Sequence, residues 1–131
     1  MEEATKIYDK WLTENGLIHH YDEHDNIVFK YQGLNLILVN PGEDKNYLQL
    51  VLPYIYDFST EEERSKVLIA ANITTMQRKV VKAIVLNDNV NLNVEMFIDT
   101  TPDVEDFMER VLDILVQGRL FFYEQMHQLN S

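Results

Sequence analysis

Hydrophobic positions along the chain alternate between a spacing typical of helices and a spacing typical of strands. Apolar residues three and four positions apart predict helices near the N-terminus, around residues 59–79 and after Pro102, with strands between them. The predicted order is a helix, three or four strands, a helix, two strands and a helix. We therefore expect an α+β domain in which helices pack on one face of an antiparallel sheet of five to six strands.

The first predicted helix carries one apolar stripe along its length. The stripe consists of Ala4, Ile7, Tyr8, Trp11 and Leu12. Asn15-Gly16 is expected to end the helix, because glycine readily adopts the left-handed conformation of a C-terminal cap. Trp11 is the only tryptophan, and we expect it to anchor this helix on the sheet rather than to stack on a ligand.

Six stretches have the alternation or the apolar content of strands. They are residues 17–22, 27–31, 34–40, 47–54, 80–86 and 90–98. Gln32-Gly33 has the length of a tight hairpin turn, and Pro53 is expected to end the pairing of its strand or to place it at an edge. The last stretch alternates almost perfectly between apolar and polar residues, which predicts one buried face, one solvent face and antiparallel pairing.

The second helix is predicted to begin with a capping box. The box pairs Ser59 or Thr60 with Glu62 or Glu63. Between Val67 and Ile73 nearly every residue is apolar or small, so we expect this helix to be largely buried. Asn72 lies within that span, where its amide needs hydrogen-bond partners. Neighbouring backbone groups are the expected partners, and a ligand is the alternative.

The third helix is predicted to begin at Thr101-Pro102, because proline is favoured at the first helical position and acidic residues follow it. Its core stripe consists of Val104, Phe107, Met108, Val111, Leu112 and Leu115. Apolar residues continue beyond Gly118, which indicates packing either on the domain's own sheet or on a partner. The candidate partner-binding residues in this segment are Leu120, Phe121, Phe122 and Met126.

Length and composition exclude several kinds of site. With 131 residues the chain is expected to form a single domain, residues 1–131. Because it has no cysteine, disulfides, thiolate zinc sites and cysteine nucleophiles are excluded. No stretch approaches the ~20 apolar residues that span a bilayer, and the N-terminus does not resemble a leader sequence. We therefore expect a cytoplasmic protein.

The chain is strongly acidic, with 22 Asp and Glu residues, 11 Lys and Arg residues and a formal net charge of -11. It would repel a phosphate backbone or an anionic membrane surface, so we expect neither nucleic acid nor membrane as a partner. The densest group of cations is Lys66, Arg78, Lys79 and Lys82. We attribute this group to the helix end and to solubility.

Residues 19–25 include several residue types that bind metals. On a strand, His20, Asp22 and His24 would share a face, which makes them weak candidates for a metal site. The segment adjoins a turn and no fourth ligand is indicated, so we predict no metal and no cofactor. The sequence also lacks a phosphate-binding glycine loop, a nucleophile elbow and a zinc-protease helix. We therefore predict that the chain is not an enzyme.

Several short segments between about Tyr8 and Leu115 match the pattern of one family. They are Gly16-Leu17, residues 25–29, Gln32-Gly33-Leu34, residues 50–53, Ala70-Ala71-Asn72 and residues 79–83. The chain resembles the YbjN-like family, candidate bacterial sensory transduction regulators with a fold similar to that of type III secretion chaperones. This resemblance implies dimers that wrap an extended partner segment, although a fold does not determine a function. The family often has a second asparagine where this chain has Thr75.

We compare three functional hypotheses. The first is a non-enzymatic module that binds a protein or peptide, as a chaperone-like or regulatory adaptor and in the form of a homodimer. The second is a small-ligand sensor with a pocket on the mixed face of the sheet. The tyrosines near that face are Tyr31, Tyr47, Tyr54 and Tyr56. The third is a metal-dependent enzyme, which requires the site at His20, Asp22 and His24. We favour the binding module.

Overall fold

A computed structural model of the chain describes residues 3–98 and 103–131. Its elements, in chain order, are α1 (Glu3–Glu14), β1 (His19–Tyr21), β2 (Ile27–Tyr31), β3 (Leu34–Leu38), β4 (Tyr47–Asp57), α2 (Glu61–Gln77), β5 (Val81–Val85), β6 (Asn89–Phe97) and α3 (Val104–Leu129). The strands form one sheet in the spatial order β1-β2-β3-β4-β6-β5, and each neighbouring pair is antiparallel. The helices pack on one face of this sheet. The predicted α+β architecture is confirmed.

The hydrophobic core lies between the helices and the central strands β4 and β6. Leu50 pairs with Val94 and Leu52 pairs with Leu92, and all four side chains are buried. From α1 the core receives Tyr8, Trp11 and Leu12. Trp11 is therefore buried in the domain core, while the side chain of Ala4 lies outside the described part of the chain. Burial raises the pKa of Tyr8 to about 12.

Two predicted turns have the backbone conformation that their sequences favour. Gly16 has a φ of 68° just after the end of α1. Gln32 and Gly33, between β2 and β3, have φ angles of 51° and 78°. Positive φ at both central residues is the geometry of a two-residue hairpin turn, whose twist matches that of the flanking strands.

Strand β4 is longer than predicted because Pro53 interrupts it without ending it. The register of β4 against β6 shifts between Leu52 and Tyr56, and the pairing then resumes. Within the interruption Tyr54 has a φ of 56°, and its N–H donates to the side chain of Asn91 at 3.1 Å. Strand β3 pairs with β4 only as far as Val51, so Pro53 needs no N–H on that side.

Strand β6 does not have the fully solvated second face that its alternation predicts. Asn89 and Asn93 are both buried. Asn93 lies between its cross-strand partners Val51 and Lys82, and its side chain also bonds to Glu95. Neighbouring side chains therefore cover this asparagine. The alternating pattern of one strand does not predict such burial, because it depends on the residues of the adjacent strands.

Helix α2 begins as predicted but is less buried than predicted. Thr60 is the N-cap, and its hydroxyl accepts a hydrogen bond from the N–H of Glu63 at 3.1 Å. Its buried face consists of Val67, Ala70, Ala71 and Thr74. Its outer face, which we call the α2 ridge, consists of the exposed side chains of Leu68, Ile69, Asn72 and Met76. Asn72 is therefore not a buried amide, and its Nδ2 lies 3.4 Å from the Met76 sulfur.

The position of α2 explains this exposure. The helix packs against α3 and along β5, which is the last strand of the sheet. The hydroxyl of Thr75 accepts a hydrogen bond from the N–H of Ala83 at 3.0 Å, and Arg64 donates to the carbonyl of Leu86 at 3.2 Å. Helix α2 thus covers the free edge of β5, which protects the sheet from pairing with another chain.

Helix α3 is a single helix that continues through Gly118. Its predicted start at Thr101-Pro102 lies outside the described residues, and Asp103 is the N-cap. A Cβ on Gly118 would lie 3.4 Å from Leu92 Cδ1 and 3.6 Å from Val81, which is ordinary van der Waals contact, so α3 lies directly on the sheet at this residue. The core stripe consequently extends beyond Leu115 to Gly118, Phe122 and Met126.

Candidate functional site

An open groove of about 610 Å³ lies between the end of α2 and the first half of α3. We call it the α2–α3 groove. Residues 77–80 form one side, Met96 of β6 contributes to its lining, and α3 forms the other side between Asp106 and Ile114. Nine residues of helix rise about 13 Å, so the groove extends over more than two turns of α3.

The α2 side of the groove forms where the chain changes from helix to strand. The N–H of Arg78 donates to the carbonyl of Thr74 at 2.9 Å and ends the helix. Val80 then has a φ of 69°, which is unusual for a β-branched residue and costs about 1–3 kcal/mol. This conformation turns the chain into β5, which therefore begins at Val81 rather than at the predicted residue 80. The Val80 side chain is 49% exposed and lines the groove.

Apolar side chains from β6, α3 and the turn before β5 line the groove. They are Val80, Met96, Phe107, Val111 and Ile114. Val111 is buried, whereas Met96, Phe107 and Ile114 are half-buried, so part of each of these three side chains is open to a ligand. Contiguous apolar surface of this kind, bordered by polar groups, is typical of binding sites.

Three cations border the same groove. They are Arg78, Lys79 and Arg110. None of the three forms an ion pair with a carboxylate in the part of the chain that the structure describes. The guanidinium of Arg78 lies 5.5 Å from the centre of the Phe121 ring, a cation–π contact. Asp106 and Asp113 also line the groove.

The predicted cation group is therefore only partly assembled. Lys66 lies 3.9 Å from Glu62 and also donates to Asn130, and Lys82 lies 3.1 Å from Glu95. Arg78 and Lys79 instead meet Arg110, which belongs to another helix and which the sequence did not single out. A basic residue on the exposed side of α3 carries no local signal, because its proximity to α2 depends on the tertiary fold.

The structure separates the four candidate partner-binding residues. Phe122 and Met126 are buried in the domain core, where Phe122 packs edge-on against Tyr56 at 5.7 Å. Leu120 is 50% exposed, and Phe121 is half-buried next to Arg78. Of the two interpretations of this apolar surplus, packing on the domain's own sheet therefore accounts for Phe122 and Met126. Partner binding stays a prediction for Leu120 and Phe121.

The metal-ligand candidates of residues 19–25 do not come together. Asp22 accepts hydrogen bonds from the backbone of His24 and from Asn26, and the side-chain bond from Asn26 lowers the pKa of this carboxyl. His20 and His24 are exposed, and His19 lies 3.3 Å from the carboxylate of Asp9 on α1. Among the described side chains no group of three or more His, Asp or Glu residues is placed to hold a metal.

The tyrosines expected around a sensor pocket are spread over both faces of the sheet. Tyr47 donates to Glu95 at 2.7 Å, and this bond, followed by that from Lys82, holds the pKa of the Glu95 carboxyl below its usual value. Tyr54 is exposed, whereas Tyr56 packs against Phe122 in the core. Neither the α2–α3 groove nor the cavity at the start of α2 is lined by a tyrosine. A sensor pocket on the mixed face of the sheet stays a prediction.

The fold has counterparts among solved structures. No family model matches the sequence. No curated protein matches it either. An uncharacterized protein from Methanothermobacter thermautotrophicus has a TM-score of 0.71 and 15% identity, over 98% of this chain and 99% of that one. YbjN from E. coli, described as a candidate transcription regulator, has a TM-score of 0.67 and 13% identity, over 94% of this chain and 92% of that one. These similarities establish that the chain has a YbjN-like fold.

The described helices differ from membrane-spanning helices. None of them combines the length and the apolar character that a membrane-spanning helix requires.

Proposed function

We propose that this chain is a non-enzymatic binding module that holds a peptide segment of another protein in the α2–α3 groove. The observation that carries this proposal is the combination, along one groove, of partly open apolar side chains with cations that form no ion pair with any described carboxylate. Apolar contacts supply affinity for a peptide, and a few charged groups fix its orientation.

The dimensions of the groove suit a short peptide. Its length of about 13 Å along α3 matches roughly four residues of an extended chain, at about 3.3 Å per residue. Phe107 and Ile114 are two turns apart on the same side of α3, so they can accept apolar side chains at two points along such a segment. A peptide anchored at two points would bind in one register.

A regulatory role agrees with the description of one structural neighbour. YbjN is described as a candidate transcription regulator. With a net charge of -11 this chain is poorly suited to bind DNA directly, because its overall charge repels the phosphate backbone and the groove offers only three cations, Arg78, Lys79 and Arg110. We therefore propose that any regulation by this chain acts through contact with a protein.

The test is selection of peptides from a display library of random sequences about a dozen residues long, followed by fluorescence anisotropy with the purified full chain. Val80→Asp places a carboxylate among the apolar groove residues, and aspartate tolerates the positive φ of this position better than valine. We expect this variant to bind the selected peptides at least about tenfold more weakly than the native chain does. A tenfold loss of affinity corresponds to about 1.4 kcal/mol.

Leu86→Asp is the matched control, because Leu86 is also an exposed apolar residue next to β5 and lies outside the groove. It should leave peptide affinity unchanged. The proposal is overturned if the library yields no binding peptide, or if both variants weaken binding equally.

A second candidate function is a small-ligand sensor. The volume of the groove, about 610 Å³, lies within the range of roughly 300–1,000 Å³ that is typical of small-molecule sites. A thermal-shift screen with a metabolite panel tests it. A ligand that raises the melting temperature of the native chain but not of Val80→Asp would favour this function over peptide binding.

A further inference from the structure

We infer that the segment bound in the α2–α3 groove is acidic and carries a carboxylate close to a bulky apolar residue. This inference rests on the proposed function and specifies the chemistry of its partner. It follows from the charges that line the groove, which differ in sign from those of the rest of the chain.

The charge of the groove is opposite to that of the whole chain. The groove is lined by two carboxylates, Asp106 and Asp113, and by three cations, Arg78, Lys79 and Arg110. The formal charge of its lining is therefore 3 − 2 = +1, whereas the whole chain carries -11. Both counts take Lys and Arg as +1 and Asp and Glu as −1. The charges that line the groove therefore attract an anionic group, whereas the chain as a whole repels it.

Three of the eight cations outside the groove are paired with carboxylates among the described residues. Lys10 lies 3.9 Å from Glu14, Lys66 lies 3.9 Å from Glu62, and Lys82 lies 3.1 Å from Glu95. In a chain with 22 acidic residues, three neighbouring cations without an ion pair to any described carboxylate are available to a ligand.

The position of Arg110 on α3 indicates how such a ligand binds. Phe107, Arg110 and Ile114 lie at intervals of three and four residues, so they occupy the same side of the helix, with the arginine between the two apolar side chains. A guanidinium group binds a carboxylate with two parallel hydrogen bonds. The complementary ligand therefore has a carboxylate flanked by apolar groups.

A basic segment is the less favourable occupant. The net charge of -11 would attract it from a distance, but within the groove it would lie against Arg78, Lys79 and Arg110. At physiological salt the Debye length is about 8 Å, so contacts inside the groove outweigh charges on the far side of the domain. The local cations then decide which segment binds.

The experiment compares a peptide selected from the library with a copy in which each glutamate and aspartate is replaced by its amide. We expect the amide copy to bind the native chain at least about tenfold more weakly, and the acidic peptide to lose affinity as salt is raised. The Arg110→Glu variant should bind the acidic peptide more weakly than the native chain does, by a similar factor. A copy of the peptide with lysine in place of its acidic residues should recover affinity for this variant.

Lys10→Glu is the control, because it changes the net charge by the same amount at an exposed position on α1, outside the groove. It should leave the affinity for the acidic peptide within about twofold of that of the native chain. If Arg110→Glu is not folded, as judged by circular dichroism, Lys79→Glu replaces it, since Lys79 is exposed.

The outcomes separate this inference from the proposed function. If selected peptides bind the groove but their amide copies bind equally well, the acidic preference is wrong and the peptide-binding function stands. If the selected peptides are basic, the inference is also overturned. If no peptide binds, the proposed function itself fails.

Discussion

Helices α2 and α3 both carry more apolar residues than one buried stripe needs, yet the structure treats them in opposite ways. The surplus of α2 remains on the surface as the α2 ridge, with Leu68 and Ile69 47% and 49% exposed and Met76 73% exposed. In α3, Phe122 is fully buried and Met126 is 3% exposed. The sequence predicted a largely buried α2 and an α3 end that packs either on the domain's own sheet or on a partner.

The difference follows from where each helix lies on the sheet. Helix α3 packs against β5, β6, α1 and α2, so it has neighbours on several sides. Helix α2 packs along the last strand of the sheet and against α3, and among the described residues its outer side stays exposed at Leu68, Ile69 and Met76. Burial of an apolar side chain therefore depends on the place of its helix in the fold as much as on the apolar content of the helix.

The largest expected effect contrasts one buried residue of α3 with one ridge residue of α2. Phe122→Ala removes a ring that is packed in the core against Tyr56 and Tyr123, and it should lower the free energy of unfolding by about 3–5 kcal/mol. Ile69→Ala should lower it by less than about 1 kcal/mol, because the side chain is 49% exposed. Urea denaturation followed by circular dichroism measures both.

Similar losses of stability for Phe122→Ala and Ile69→Ala would contradict this difference between α3 and α2. They would mean either that Phe122 can be replaced without leaving a cavity or that the α2 ridge is buried in solution. The second case is recognised by repeating the denaturation at several protein concentrations, because burial between chains makes stability depend on concentration.

A smaller effect is expected at the closest approach of α3 to the sheet. Gly118→Leu places a branched side chain where a single Cβ already lies 3.4 Å from Leu92 and 3.6 Å from Val81, so we expect a loss of about 1–3 kcal/mol. Gly118→Ala is the control. Its Cβ would make only ordinary van der Waals contacts, and alanine favours a helix by about 1 kcal/mol over glycine, so this variant should not lower the free energy of unfolding. A stable Gly118→Leu variant would show that α3 can move away from β6 at little cost.

The sequence was sufficient to predict the elements and their order, because local patterns carry that information. The capping box at Thr60 and Glu63 and the turn at Gln32-Gly33 are both present. The burial of Phe122 and Met126 could also have been predicted. They continue the spacing of Leu112 and Leu115 at intervals of three and four residues, once the helix is extended through Gly118.

The groove could not have been predicted in the same way. Arg78 and Arg110 belong to different helices, and only the packing of α2 against α3 brings them to one site. The positive φ of Val80 has no sequence signal either, since valine rarely adopts this conformation. The burial predicted for the outer face of α2 was wrong for a related reason. Periodicity identifies apolar positions, but it does not show which other elements pack against them.

The smallest effect on stability is expected for a substitution on the α2 ridge. Met76→Ala removes a side chain that is 73% exposed and whose described polar contact is the amide of Asn72 at 3.4 Å. Alanine also has the highest helix propensity, so the free energy of unfolding should change by no more than about 0.5 kcal/mol. Measurements at low and at high protein concentration should agree. A loss that appears only at high concentration would show that a second copy covers the ridge. Helix α2 would then be buried, as its sequence predicts, with the missing neighbour supplied by another chain rather than by the domain.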